Sequence, residues 1–461
     1  MRSGGGVLCA AAGLQFALRS AMVAAMPLLL LSIAAAAPPT RKSTAETKPA
    51  ANAKTQPDAA AKSETPFKRE SGSESTLSVD SPDLTAAVGS LVDVETRNKH
   101  YRFVTLADCT RVQKSGALKA LVIESSPDPT ENGDQQSKKK VRKGARLTLP
   151  IATVDRVWRG KKLIYVSKKA QIAQTQEDNY LARAKARGAR PWPRSTWEEY
   201  QTVVAEQREF LKKVGAACAN MALYETENFL FFSNIPPQQV GPYVVSLDAM
   251  HELMCKTYGI KSGAPVWKGK GVVLAFLDRA DFLTFEQTFM RVNPEGAYGI
   301  CHSKGDGTSV IACYRGDRPE DFGKMMVHET SHGFVHRYNT LAHLPSWLNE
   351  GMAEVIGEKV VPKSTSVSRR EIAALDRMKK TRNLGGNYFT QDQNIEAWQY
   401  GVASSMSKFM MAASGNAFVK FIDGIKEGMP WEESLKAHYN ATPEQLVTAY
   451  GQSIGVPDLR P

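Results

Sequence analysis

One pentapeptide constrains this chain more than any other feature: His328-Glu329-Thr330-Ser331-His332. Side chains four residues apart lie on one face of a helix, about one turn from each other. Two imidazoles at that spacing reach a single metal ion, and the Glu329 between them can turn toward the ion's open side. The approaching turns carry an apolar flank of Phe322, Met325, Met326 and Val327, and the acidic pair Glu320 and Asp321 suits the positive end of the helix dipole. A second motif follows, Trp347-Leu348-Asn349-Glu350-Gly351-Met352-Ala353-Glu354. Seventeen residues separate His332 from Glu350, enough for the first helix to end, turn through Leu344-Pro345 and return as a second helix. Glu350 then faces the two imidazoles. Two histidines, one carboxylate and an open position form a catalytic zinc set rather than a structural one.

The pair HExxH and WLNEGxAE resembles the gluzincin metallopeptidases, most closely the peptidase MA-like domains of exported bacterial proteins, across residues 220–456. The resemblance implies an α+β, thermolysin-like fold: a small mixed sheet, two metal-site helices and a C-terminal helical lobe. It implies Zn2+ held by His328, His332 and Glu350, Glu329 as general base, and a peptide or protein substrate. Related aminopeptidases carry an oxyanion-binding tyrosine in a downstream helix, which points to Tyr400 in Glu396-Ala397-Trp398-Gln399-Tyr400-Gly401, with Tyr388 as second choice. Glu354, one turn beyond Glu350, is either a support behind the metal ligands or a surface acid. The chain departs from the aminopeptidases where Pro294-Glu295-Gly296-Ala297-Tyr298-Gly299 replaces a Gly-x-Met-Glu-Asn amine-binding motif, which favours an endopeptidase. A three-histidine metal site would need a histidine where Tyr338 stands. His336 and His343 read as surface or ligand-supporting residues, whereas His251, His302 and His438 have no partner pattern.

The remaining sequence describes an exported, multi-part chain. Residues 1–37 read as a signal peptide: Arg2 and Arg19, then an apolar run from Ala21 to Ile33, then Ala34-Ala35-Ala36-Ala37. Retention of that segment as an anchor is the competing reading. Residues 38–82 are rich in Pro, Ala, Ser, Thr, Lys and Glu with Phe67 as the lone aromatic, a composition that cannot offset its chain entropy by burial, so they read as a disordered linker. Charge is concentrated: residues 90–170 carry 18 basic and 8 acidic groups, whereas residues 171–461 carry 32 of each. A statement that the whole protein is basic would mislead.

Within residues 85–170, Tyr101–Leu106, Leu118–Ile123, Arg146–Pro150 and Lys162–Val166 read as strands of a small basic all-β domain, for which a five-strand barrel is one arrangement. Ser126–Gln136 reads as a long loop ending in the run Lys138–Lys143. That run either binds an anionic envelope partner or stays solvated; it lacks interleaved aromatics, and no nucleic-acid partner is expected of an exported chain. Residues 171–217 read as connecting helices, broken at Pro191 and Pro193. In the C-terminal part, Phe229–Ser233 and Gly271–Leu277 read as buried strands, Tyr243–Tyr258 as a helix, and Gly299–Cys301 with Ser309–Tyr314 as the rest of the sheet, the latter at its edge. Residues 368–382, 395–413, 416–427, 430–439 and 443–454 read as helices.

Cys301 and Cys313 flank a turn at Lys304–Gly307, where a disulfide or two independent thiols are both compatible with the spacing. No CxxC pair exists, which argues against a cysteine zinc site. Two function classes remain open on sequence alone. One is an exported zinc metallopeptidase. The other is a catalytically degenerate peptidase fold acting as a cell-envelope binding module. The same site chemistry would also serve an amide hydrolase of cell-wall material.

Overall fold

The computed structural model describes residues 82–125, 145–294, 296–317, 319–390 and 394–461. The signal peptide read at residues 1–37, all but the last residue of the linker, the loop Ser126–Gln136 and the run Lys138–Lys143 lie outside the described residues. The described chain begins with a short helix, α1 (Pro82–Ala86), and six strands: β1 (Leu91–Thr96), β2 (His100–Arg111), β3 (Leu118–Glu124), β4 (Arg146–Pro150), β5 (Val154–Arg159) and β6 (Lys162–Val166). Their order is β4-β3-β2-β1-β5-β6 with every pair antiparallel, and β4 and β6 form two open edges. This is a six-stranded open sheet, not the five-strand barrel expected. The expectation failed because β1 carries Asp93 and Glu95, which look like solvent-facing positions. Both are buried. Asp93 accepts from the Phe103 amide at 2.8 Å and pairs with Arg194 at 3.0 Å, while Glu95 pairs with Arg156 and with Lys261. Arg194 and Lys261 come from the chain that follows, so these ion pairs fasten the sheet to the rest of the molecule.

Two helices connect the parts, α2 (Gln171–Ala186) and α3 (Trp197–Ala217), the latter opened by a Thr196–Glu199 capping box. A five-stranded sheet follows, woven with helices: β7 (Ala222–Glu225), β8 (Phe229–Ser233), α4 (Pro237–Thr257), β9 (Gly271–Phe276), α5 (Arg279–Phe285), β10 (Gly299–Ser303) and β11 (Ser309–Tyr314). The order is β10-β11-β9-β8-β7, with β8, β9 and β11 parallel and both outer strands antiparallel. A sheet covered on both faces needs continuous apolar strands. Alternate residues accordingly feed two cores: Phe229, Phe231, Val273, Ala275 and Ile311 face one, and Leu230, Phe232, Val272, Leu274 and Val310 the other. The edge strands are β10 and β7, and β11, expected at the edge, is interior. Cys301 pairs in register with Ile311, and Cys313 with Gly299. The two thiols are thus offset diagonally and are free, so no disulfide closes the hairpin.

Seven helices complete the chain: α6 (Pro319–Arg337), α7 (Ser346–Val360), α8 (Ser366–Thr381), α9 (Gln399–Ala413), α10 (Gly415–Lys426), α11 (Trp431–Tyr439) and α12 (Pro443–Ser453). The fold is therefore α+β, with open sheets and a C-terminal helical region. Thr442 caps α12 in a box with Gln445, with Pro443 in the first turn, as the sequence implied. Trp347 anchors α7 in an aromatic cluster with Tyr388, Phe389 and Trp431. Gly351 lets α7 and α9 meet at their backbones: a Cβ added there would stand 2.3 Å from the Ala403 carbonyl oxygen. Among the described residues, no helix is long and apolar enough to cross a membrane.

Two predictions follow from this packing. Gly351→Ala must push α7 off α9 and should lower stability by ~1–3 kcal/mol, read as a fall in the thermal midpoint by circular dichroism; an unchanged midpoint would contradict the crossing. Lys426 is buried, and its Nζ donates to Val335 O at 3.0 Å and Ala342 O at 2.8 Å. Burial, with Arg337 nearby, lowers its pKa from 10.5 to about 7. Between those values the unfolded chain holds a proton that the folded chain does not, so this residue adds stability as pH rises. The unfolding free energy of the native protein, relative to Lys426→Met, should therefore climb from pH 7 to pH 10 in chemical denaturation. A flat difference would remove the neutral buried amine.

Candidate metal centre

Helix α6 presents Lys324, His328 and His332 at four-residue steps, one stripe along one face. Helix α7 presents Glu350 and Glu354 in the same way. The stripes meet in opposite directions, Lys324 and His328 against Glu354, and His328 and His332 against Glu350. Nε2 of His328 lies 3.3 Å from Nε2 of His332 and 3.1 Å from Oε2 of Glu350, and His332 Nε2 lies 3.5 Å from the same oxygen. The imidazole planes are perpendicular. These three residues form a group that can hold a metal ion.

The donor set can be tested against coordination chemistry. Ligands about 2.05 Å from a tetrahedral zinc ion stand roughly 3.3–3.4 Å apart. The three separations bracket that value, and nitrogen and carboxylate donors suit a divalent ion of this size. The residues fit.

Behind the ligands is a fully buried carboxylate, Glu354. Its Oε1 accepts from Lys324 Nζ and from Arg370 Nη1, each at 2.6 Å, and lies 3.1 Å from His328 Nδ1, off the ideal hydrogen-bond line. A histidine that ligates through Nε2 needs its other nitrogen fixed, and a carboxylate is a usual partner. Glu354 is thus buried behind the His328 ring and is not a surface acid. Burial disfavours the charged His328 ring, but Glu350 and Glu354 outweigh it and raise its pKa to about 9. His332 is raised likewise, against burial, by Glu350. Burial also opposes ionisation of Glu350 and Glu354, yet the imidazoles, and for Glu354 also Lys324 and Arg370, hold both carboxyls well below the usual range.

Glu329 lies on α6 with Oε1 4.0 Å from His328 Nε2. Tyr400, in the first turn of α9, stacks its ring on His328 with centroids 6.4 Å apart. Burial first, then Glu350 and Glu329, push the Tyr400 phenol upward, so it stays protonated near neutral pH. Tyr388 is not in this site: it is buried against Trp347, and its hydroxyl meets Met406 Sδ. His336, expected at the surface or behind the ligands, is buried at the cavity wall away from the ligand group; its Nε2 lies 3.0 Å from Lys304 O, and its ring packs on Trp192. His343 is exposed at the cavity wall. His251 is a core residue between Phe229 and Phe334, held neutral by burial with a pKa of about 4. His302 does have a partner, the buried Glu286, at 2.9 Å.

The ligands open into a cavity of about 1180 Å3, lined among others by Tyr298, Gly299, Glu329, Glu350, Arg370 and Tyr400. Strand β10 forms one wall, and α6 to α9 the others. Sequence reasoning missed Lys324, Arg370 and the Glu286–His302 pair. Lys324 had a readable signal, one helical turn before His328 on the same stripe. Arg370 and Glu286 had none, since only the fold brings them near.

No family model matches the chain, and no curated protein matches it. Among solved structures, a Bacillus anthracis str. Ames protein described as functionally unknown and conserved aligns at 11% identity and a TM-score of 0.26. The alignment covers 54% of this chain and 49% of that one, so the chain spans about half of that protein's length.

Glu354→Ala should weaken metal binding ~10–100-fold, measured by competition with a chromophoric chelator. Affinity within twofold of the native protein would remove the orienting role of Glu354.

Proposed function

We propose that this chain is an exported zinc-dependent metallopeptidase, an endopeptidase on a thermolysin-like gluzincin framework. The observation that carries the reading is the convergence of His328, His332 and Glu350 at tetrahedral ligand separations, with Glu329 beside them and a cavity in front. Zinc, when bound, supplies a Lewis acid that makes water nucleophilic near neutral pH and polarises a carbonyl.

The chain's own residues do the rest. Glu329 accepts the proton of the attacking water and passes it to the departing amine. Glu354 keeps His328 oriented through Nδ1. The Tyr400 hydroxyl, kept protonated, donates to the oxygen that becomes negative in the tetrahedral transition state. The free edge of β10 offers backbone N–H and C=O groups to an extended peptide laid across the cavity.

The test joins metal analysis to cleavage. Purified protein should carry about one zinc per chain and cleave peptides from a denatured proteome. A chelator should abolish cleavage, and added zinc restore it. Glu329→Gln should lose ~10^2–10^4-fold in kcat while retaining zinc. Tyr400→Phe should lose ~10^2-fold in kcat with little change in KM. Full zinc without cleavage of any library peptide would overturn the peptidase reading in favour of a binding module.

A further inference from the structure

The cavity is not electrically uniform. At the end formed by α8, Arg369 and Arg370 line the wall beside Lys324. Arg369 is answered by Asp321 at 3.1 Å. Glu354 carries one negative charge, and Lys324, itself buried, already contacts it at 2.6 Å. Arg370 is therefore a second cation on a carboxylate that has its counter-ion. Its side chain remains 47% exposed, unlike Lys324 at 4%. One nitrogen, Nη1, donates to Glu354, and Cζ lies 5.7 Å from the Tyr400 ring centroid. A guanidinium carries five N–H donors in a fixed fork that matches a carboxylate.

The position is close to the reacting centre. Arg370 Nη1 and His328 Nδ1 both touch Oε1 of Glu354, so they lie within about 6 Å of each other; the ligating Nε2 is across the imidazole ring, so the reacting centre is within about three residues of extended chain. Tyr400 is near both, its ring 6.4 Å from the His328 ring and 5.7 Å from the guanidinium carbon. A peptide with its scissile bond at the metal centre would bring the side chain or terminus of a neighbouring residue to Arg370.

Resting on the reading that a peptide occupies this cavity, we propose that Arg370 is a specificity-determining residue that selects a carboxylate next to the cleavage point. The carboxylate is either an Asp or Glu side chain or the free C-terminus of the peptide. Lys324 holds Glu354 in place independently, so the charge of Arg370 remains available to substrate. A half-exposed pair of this kind contributes modestly, enough for roughly a tenfold preference.

The experiment uses the full chain and a set of fluorescent peptides with one sequence. They carry Glu, Gln or Lys in turn on either side of the cleavage point, each with a free or an amidated C-terminus. Binding to Glu329→Gln protein is read by anisotropy, and cleavage by native protein as kcat/KM. The native site should favour Glu over Gln, or free over amidated terminus, by roughly tenfold, and which pair separates identifies the source of the carboxylate. The preference should fall in high salt. Arg370→Lys should keep part of it, and Arg370→Met should bring the ratio near one. Because the readout is a ratio within each variant, a general loss of stability or metal does not imitate it. Equal binding of all forms by the native site, or an unchanged ratio in Arg370→Met, would overturn the proposal. Arg370-dependent binding with no peptide cleaved would sustain this inference while sinking the peptidase reading, whereas cleavage without charge preference would do the reverse.

Discussion

A single carboxylate without solvent exposure, Glu354, governs the arrangement of the metal centre. Burying such a charge costs several kcal/mol unless partners compensate. Its partners come from three directions: Lys324 and His328 on α6, and Arg370 on α8. Sliding α7 along α6 by one turn, ~5.4 Å, would break the Lys324–Glu354 pair and move Glu350 away from His332. The pair therefore sets the register of two helices, and Glu350, one turn before Glu354, inherits its place opposite His328 and His332. The geometry of the candidate metal centre thus follows from a charge that cannot be left alone.

The next layer depends on that register. With α7 fixed, Gly351 lets α9 approach to backbone contact at Ala403, and α9 brings Tyr400 onto the His328 ring. The carboxylates that raise both imidazole pKa values are also what would favour a bound dication, so one electrostatic arrangement serves both. A site made of packed helices holds its donors more precisely than one built on loops.

How much of this was legible in the sequence follows from how local each feature is. The two imidazoles and Glu329 were legible because helical periodicity alone places them, and Glu350 because the Trp347–Glu354 motif follows on a returning second helix. The C-terminal helices were legible through their proline and threonine starts, as at Thr442-Pro443. The open six-stranded sheet was not, because whether a sheet closes depends on which distant strands pair, and β1 hides its burial behind Asp93 and Glu95. The pairing of Cys301 and Cys313 was ambiguous for a similar reason: a two-residue offset in register, invisible in the spacing, separates cross-strand partners from diagonal ones. The sequence ranked Tyr400 ahead of Tyr388 by its place in a downstream helix, and packing sends Tyr388 to the core and Tyr400 to the cavity.

An edge strand that lines a cavity poses a mechanical difficulty, since it has a hydrogen-bonded neighbour on one side only. Strand β10 meets it from behind. Alternate side chains point to opposite faces: Gly299 and Cys301 lie over α6, while His302 turns the other way and reaches buried Glu286 at 2.9 Å. Gly299 carries no side chain where the strand passes over Glu329; a Cβ there would fall 2.9 Å from the Glu329 Cγ. The absence of a side chain in front lets the strand sit close to the catalytic candidate, and the polar pair behind resists its being pulled away. A backbone edge held this way can accept an extended chain without shifting register, because the contact that fixes its position lies on the face the chain does not touch.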